Sequence, residues 1–294
     1  MAEVSQRKVQ RYGWIPDIPD ARDHIFAIAP EMLASLPPSV DLRADMPPVY
    51  DQGQLGSCTA NAIGAAYQYM QRKQKLGDLM PSRLFVYYNE RVMEHTVDSD
   101  AGAMIRDGIK SVAQAGVCSE DLWPYDIAQF KTRPSAECYK AALDHQAIAY
   151  RRVVSTSLHQ IQGALAGGTP VVFGFSVYDA FESAEVAKTG EVPLPRGGTV
   201  LGGHAVLAVG YDDATQRFLV RNSWGPDWGL AGYCTMPYAY LTNSQLASDF
   251  WAIDTVEAPA AAATKTKRAA KAKAAKKATK AARKAAKPPA RKKG

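Results

Sequence analysis

The sequence predicts an α+β protein in two lobes. Apolar residues recur at helical spacing through the first half of the body, and short β-rich runs separated by turn signals fill the second half. A cysteine stands directly before the first helical pattern, and a histidine opens one of the strand-like runs far downstream. A site that drew on both would lie in the cleft between the lobes. At 294 residues the chain can bury a core of this size.

Residues 1–35 precede the body. Their stretch Tyr12-Gly-Trp-Ile-Pro-Asp-Ile-Pro-Asp-Ala-Arg-Asp23 is rich in Pro and Asp and reads as extended chain and turns. Two roles suit it: a strap that packs Trp14 and Ile15 on the body, or an inhibitory segment lying in a cleft. The body spans residues 36–257, with a helical lobe at about 45–150 and a β lobe at about 151–257. In the helical lobe, Ala60, Ile63, Tyr67 and Met70 mark a helix over 59–75, with Gly77 as its stop. A second apolar face of Ala62, Ala66 and Tyr69 implies that this helix is buried. Further helices are expected over 81–91, with Pro and Ser at the start, and over 103–115, closed by Gly116. In the β lobe, strands are expected over 170–177, 205–211, 217–222 and 232–236, with Asp212-Asp213 making a hairpin turn.

Charge divides the chain again. Residues 261–294 hold 14 of the 35 Lys and Arg and no Asp or Glu, which leaves 21 basic against 29 acidic residues elsewhere, a net of −8. Segment 258–294 is almost entirely Ala, Lys, Arg, Thr and Pro, cannot build a core, and reads as a disordered basic tail. Such a polycation is expected to bind nucleic acid or another polyanion by counterion release, or to act only as a solubilising tail. An anionic membrane surface or a cell-wall polymer is a further partner. No apolar run approaches a membrane span, and no apolar stretch follows the N-terminal charges as in a secretory signal. A cytoplasmic monomer is expected, nucleoid-associated if the tail finds nucleic acid, with export by a non-classical route left open.

Cys58, Cys118, Cys138 and Cys234 form no CxxC pair and no metal-finger spacing. Reduced thiols are expected, with Cys118–Cys138 the pair to watch for a disulfide. Cys58 is the chemically suggestive one, because a helix N-terminus and a nearby imidazole both favour a thiolate. His204 is flanked by Gly202, Gly203 and a strand, and Asn222 heads Asn222-Ser223-Trp224-Gly225. Gln52 precedes the cysteine in Asp51-Gln52-Gly53. Alone, each has a plainer reading: a small buried residue, a packed histidine, a turn, a loop cap. Together they supply nucleophile, base, orienting amide and oxyanion donor.

These motifs resemble the papain family of cysteine peptidases. The family's Gln-Gly-x-Cys-Gly-Ser-Cys-Trp stands here as Gln52-Gly-Gln-Leu-Gly-Ser-Cys-Thr59, and its His-Ala-Val-x-x-Val-Gly-Tyr as His204-Ala-Val-Leu-Ala-Val-Gly-Tyr211. Its Asn-Ser-Trp-Gly-x-x-Trp-Gly-x-x-Gly-Tyr is intact from Asn222 to Tyr233, and Pro38-Ser-Val-Asp-Leu-Arg43 looks like the start of its mature domain. His204 follows Cys58 by 146 residues and Asn222 follows it by 164, a long Cys-to-His/Asn spacing for which the family is itself a standard example. The resemblance implies a helical left lobe, a β-barrel-like right lobe and a cleft between them. It implies Cys58 as nucleophile, His204 as base and acid, Asn222 as orienting residue and Gln52 as oxyanion donor. It further implies that Trp224 shields the Asn222–His204 hydrogen bond, that Gly102 lies near the stretch pairing main chain with substrate, and that Gly203 beside Gly202 lines a pocket roomy enough for a bulky apolar side chain. A resting thiolate–imidazolium pair is expected. Leu55 and Thr59 depart from the family pattern; the first removes a disulfide cysteine, the second an aromatic on the helix. The short front segment is similar to that of prokaryotic members and could cover the cleft in a latent form. Peptides or proteins are the implied substrates, and no metal or organic cofactor is required. The alternatives are a weakly active or inactive papain-like binding module tethered to a polyanion, or the same thiol chemistry on a non-protein acyl group.

Overall fold

The computed structural model describes residues 11–257; the basic tail lies outside the described residues. In chain order the elements are β1 (Trp14–Ile15), α1 (Pro30–Leu33), β2 (Ser39–Asp41), α2 (Cys58–Lys73), α3 (Arg83–Met93), β3 (Ala103–Met104), α4 (Ile105–Ala115), α5 (Ala136–Ala142), β4 (Ala147–Val153), α6 (Leu158–Ala166), β5 (Val171–Tyr178), α7 (Ala184–Thr189), β6 (Val200–Asp212), β7 (Arg217–Arg221), β8 (Tyr233–Pro237), α8 (Tyr238–Leu241) and β9 (Ala247–Val256). Helices precede most of the sheet, the α+β order expected from the sequence.

Seven strands form one antiparallel sheet in the order β4-β9-β5-β6-β7-β8, with β2 also on β6. Side chains alternate across it as the pleat requires. On β6, Ala205, Leu207 and Val209 face a core built on α2, α3 and α4, while Val206 and Ala208 face a second core with Phe173, Phe175, Phe250 and Trp224, joined by Tyr211 after a register shift between Ala208 and Gly210. Helix α2 is buried from Cys58 to Gln71, so its apolar faces are covered by the sheet on one side and by the other helices elsewhere. That burial fixes where its N-terminus points.

Each expected element is present, with informative shifts at the ends. Helix α2 ends at Lys73 and is closed by Lys75, which takes a left-handed turn (φ 59°) while Leu76 N–H bonds the Gln71 carbonyl; Gly77 follows but is not the cap. Ser82 caps α3 through the Phe85 N–H. Ala103 and Met104, expected in a helix, form a strand instead, because Trp14 and Ile15 pair with them in parallel. Within that pair Trp14 is buried, whereas Ile15 is 36% exposed and packs less than its apolar side chain suggested. Strands β4 and β9 and helices α5 to α8 carry no counterpart among the sequence expectations.

Beyond β1 the front segment continues along the body. It bridges the edge strand β4 at Ile25–Arg152 and seats Ile28 over Gly163 of α6. All four cysteines are free and buried. No helix among the described residues is long and apolar enough to cross a membrane.

Candidate active site

Cys58 is the first residue of α2, after Ser57. The turn before it is held from two sides: Asp100, from a distant loop, accepts from the Gly56 N–H at 3.0 Å, and Asn61 of α2 itself donates Nδ2 back to the Ser57 carbonyl at 2.9 Å. The backbone N–H groups of Ala205, the residue after His204, of Gly13 in the front segment and of Thr59 lie near enough to the sulfur to favour its thiolate. The structure therefore brings the α2 terminus and the His204 turn of β6 together.

His204 is fully buried, and its Nε2 lies 2.9 Å from Asn222 Oδ1. The same Oδ1 accepts the Ser223 N–H at 2.8 Å. A backbone N–H can only donate, so this contact fixes the carboxamide oxygen as an acceptor and assigns Nε2 of the neutral ring as the N–H. Nδ1 is then the lone-pair nitrogen, and it has no hydrogen-bond partner among the described residues. Trp224 lies over the imidazole with ring centroids 5.3 Å apart, and Phe175 and Phe181 close the rest of that wall. Water is kept from the His204–Asn222 bond by this aromatic box.

Gln52 is held at both ends of its amide. Ser223 Oγ donates to Oε1 at 2.7 Å, and Nε2 donates to the Leu55 carbonyl at 2.9 Å. One Nε2 hydrogen is left for a ligand beside the α2 terminus. Ser223 is a residue that sequence reasoning missed as functional: it orients both Gln52 and Asn222. Its signal was its place inside the Asn222-Ser223-Trp224 motif.

The front segment lies in this site. Tyr12 packs against His204 and Trp224 and donates its hydroxyl to Glu182. The Gly13 carbonyl accepts the Ala103 N–H at 2.7 Å, and a methyl group on Gly13 would fall 1.7 Å from the Gly56 carbonyl oxygen. Trp14 fills the space above Gly174 and Gly203, where an added Cβ would come within 2.0 Å and 2.5 Å of the indole. The space beside Gly203 is thus occupied by a bulky aromatic of the front segment. The main-chain pairing register falls on Ala103, one residue beyond Gly102, whose own N–H is taken by the Tyr87 hydroxyl.

The electrostatic state departs from the expected ion pair. With the cleft filled, burial pushes the Cys58 thiol up to about 12, outweighing the three backbone N–H groups, of Ala205, Gly13 and Thr59, that favour the thiolate. Burial also lowers His204 to about 4, against the Asn222 hydrogen bond that favours its charged form. Both shifts favour the neutral thiol and the neutral imidazole, because neither charge has solvent to support it. Thr59, just inside the helix, donates to Glu90 Oε2 at 2.8 Å, so the residue that departs from the family pattern has a specific buried partner.

The sequence profile described as "Papain family cysteine protease" matches residues 36–252. The chain is 41% identical over 275 residues to an uncharacterized peptidase C1-like protein of Acanthamoeba polyphaga mimivirus, covering 85% of this chain and 88% of that one. The crystal structure of xylellain, a cysteine protease from Xylella fastidiosa, superposes with a TM-score of 0.78 at 46% identity, covering 86% of this chain and 99% of that chain. Digestive procathepsin L 3 of Tenebrio molitor shares the fold at 19% identity, with a TM-score of 0.63 over 84% of this chain and 75% of that one. With the profile spanning most of the chain and the fold shared, this chain belongs to the papain family of cysteine peptidases.

Proposed function

We propose that the chain hydrolyses peptide bonds through Cys58, His204, Asn222 and Gln52, and that residues 11–35 hold it latent. The observation that carries the mechanism is the double acceptance at Asn222 Oδ1, which leaves His204 Nδ1 as an unprotonated, unpartnered nitrogen. Once the cleft opens, Nδ1 takes the thiol proton and the resulting imidazolium supports the thiolate. Sulfur attacks the carbonyl carbon, and the oxyanion takes the free Gln52 Nε2 hydrogen and the Cys58 N–H. Each donor is worth roughly 3 kcal/mol of barrier. Collapse expels the amine, which carries away the proton from His204, and leaves a thioester on Cys58. Water then attacks the thioester with His204 as base, releasing the acid and regenerating the thiol.

Latency rests on occupancy: Tyr12, Gly13 and Trp14 fill the positions where substrate main chain and side chains would lie. An epoxide or vinyl sulfone probe tests both halves. Labelling is expected at Cys58, absent in Cys58→Ala, and faster after removal of residues 1–35. No labelling of the shortened chain would favour a binding module instead.

For the basic segment 261–294 we infer sequence-tolerant binding to nucleic acid or another polyanion, on charge alone. Binding to a DNA duplex that is strong at 50 mM salt and lost at 300 mM would support it; equal binding after removal of 258–294 would remove it.

A further inference from the structure

A second anchor of the front segment lies outside the cleft, where buried carboxylates outnumber the guanidiniums that reach them. From the segment come Asp17, Asp20, Arg22 and Asp23. Facing them are Arg106, Asp107 and Lys110 on α4, Arg91 and Glu94 at the end of α3, Arg152 on β4, and Asp249 and Trp251 on β9.

The cations are spoken for. Arg22 forks onto Asp20, with Lys110 3.7 Å from the same carboxylate. Arg106 forks onto Asp23 in a largely buried pair. Arg152 is shared between Asp23 at 3.3 Å and Asp249 at 3.4 Å. Arg91 is turned to the carbonyls of Val97, Ser99 and Phe130. Among the described residues Asp17 is left with two N–H donors, the Arg106 backbone at 3.0 Å and the Trp251 indole at 2.8 Å. Its own backbone N–H donates to Asp249 at 2.8 Å, which brings the Asp249 charge close enough to be felt by the Asp17 carboxyl. Glu94 accepts only the Met104 N–H, from the strand on which β1 docks.

We propose that docking of residues 11–23 takes up protons at this carboxyl cluster, so that acid holds the front segment in place and a rise in pH releases it. The proposal rests on residues 11–35 being the segment that closes the cleft.

The sign follows from burial. An undocked Asp17 is an ordinary carboxyl with a pKa near ~3.9; docked, burial first and then the charge of Asp249 raise it to about 6. Glu94 is raised to about 7, mainly by burial, with Asp107 and Asp17 adding to the rise. Asp249 and Asp107 are also raised by burial. A group whose docked pKa lies above its free value favours docking below the free pKa, and that help is lost as pH climbs through the docked value. For Asp17 the window runs from about 4 to 6, and Asp17 alone weakens docking about tenfold between pH 5 and pH 7. Glu94 extends the window upward.

Hydrogen exchange on the full-length protein tests this. Protection of residues 12–19, corrected for intrinsic exchange, is expected to fall about tenfold or more from pH 5 to pH 7. In Asp17→Asn, which removes the titrating carboxyl, the fall in protection from pH 5 to pH 7 is expected to shrink to the part that Glu94 contributes; in Asp249→Asn it is expected to shrink by less, because burial is the larger cause of the Asp17 shift. Protection in the wild-type chain that is flat or rises with pH would overturn the latch, as would an unchanged pH dependence in both variants. The readout follows docking rather than catalysis. An alkylation rate at Cys58 that ignores residues 1–35 would therefore defeat the latency reading without mimicking failure of the latch.

Discussion

Nε2 of His204 and Oδ1 of Asn222 lie 2.9 Å apart, and the Ser223 N–H holds that oxygen from the other side. The pair settles which ring nitrogen carries the proton, and so which one can act as a base. Asn222→Ala leaves the ring free to rotate and to exchange tautomers. The expected result is a fall in kcat of about 10- to 100-fold, the range seen when an outer partner of a functional histidine is removed. KM should change little, because Asn222 sits behind the imidazole. Steady-state kinetics on a small peptide substrate, with residues 1–35 removed, measures both; an unchanged kcat would show that the tautomer is set elsewhere.

Gly13 and Gly56 make the tightest contact of the front segment with the site. A methyl group at Gly13 would overlap a backbone carbonyl that cannot swing aside, because Gly56 is itself tied to Asp100. Gly13→Ala is therefore expected to unseat the segment without touching the catalytic residues. Iodoacetamide should modify Cys58 at least about tenfold faster in this variant at the same pH, since overlaps of this kind are rarely absorbed for less than 1–3 kcal/mol. A rate equal to that of the unaltered chain would mean that the segment does not gate the thiol.

Gln52 offers one free amide hydrogen. Because Ser223 and Leu55 hold the rest of the amide, it reaches the oxyanion at no cost in side-chain ordering. Gln52→Ala is expected to lower kcat by about 10² to 10³, with KM nearly unchanged, the signature of a donor used only in the transition state. A change in KM alone would make Gln52 a substrate-binding residue instead.

The sequence singled out the proposed reacting groups because each sits in a motif whose neighbours have partners of their own, as Ser223 and Trp224 do beside Asn222. It made β5 to β8 and α2 to α4 legible through their periodicity. Strands β4 and β9 escaped for a physical reason. They carry Arg151 and Arg152, Asp249 and Asp254 where apolar residues would mark a strand, and these charges are matched only across the fold, Arg151 with Asp254 and Arg152 with Asp249. Ala103 and Met104 read as helix because their strand partner lies about ninety residues earlier in the chain. The charge state of Cys58 and His204 was out of reach for a similar reason, since it depends on what fills the cleft.

Glu90 gives a test of buried charge that is independent of the cleft. Its carboxyl is fully buried beside Gly108 and Ile63, with one oxygen accepting from Thr59 and the other without a partner among the described residues. Burial raises its pKa well above the usual carboxylate range, more than the Thr59 hydrogen bond lowers it. The unfolded chain ionises near ~4.3, so above that pH the folded state holds a proton that the unfolded state has lost. Folding stability associated with Glu90 is therefore complete at low pH and drains away as pH rises. Glu90→Gln keeps an acceptor for Thr59 and removes the titration. Urea midpoints of the two proteins are expected to lie close together at pH 4, and the variant is expected to gain on the unaltered chain as the pH is raised to 8. Taking the difference between the proteins cancels the other carboxyls, whose titration both share. A gap that stays constant from pH 4 to 8 would mean that Glu90 ionises in the folded protein much as it does in water, and one that favours the unaltered chain at pH 8 would mean that a counter-charge reaches it.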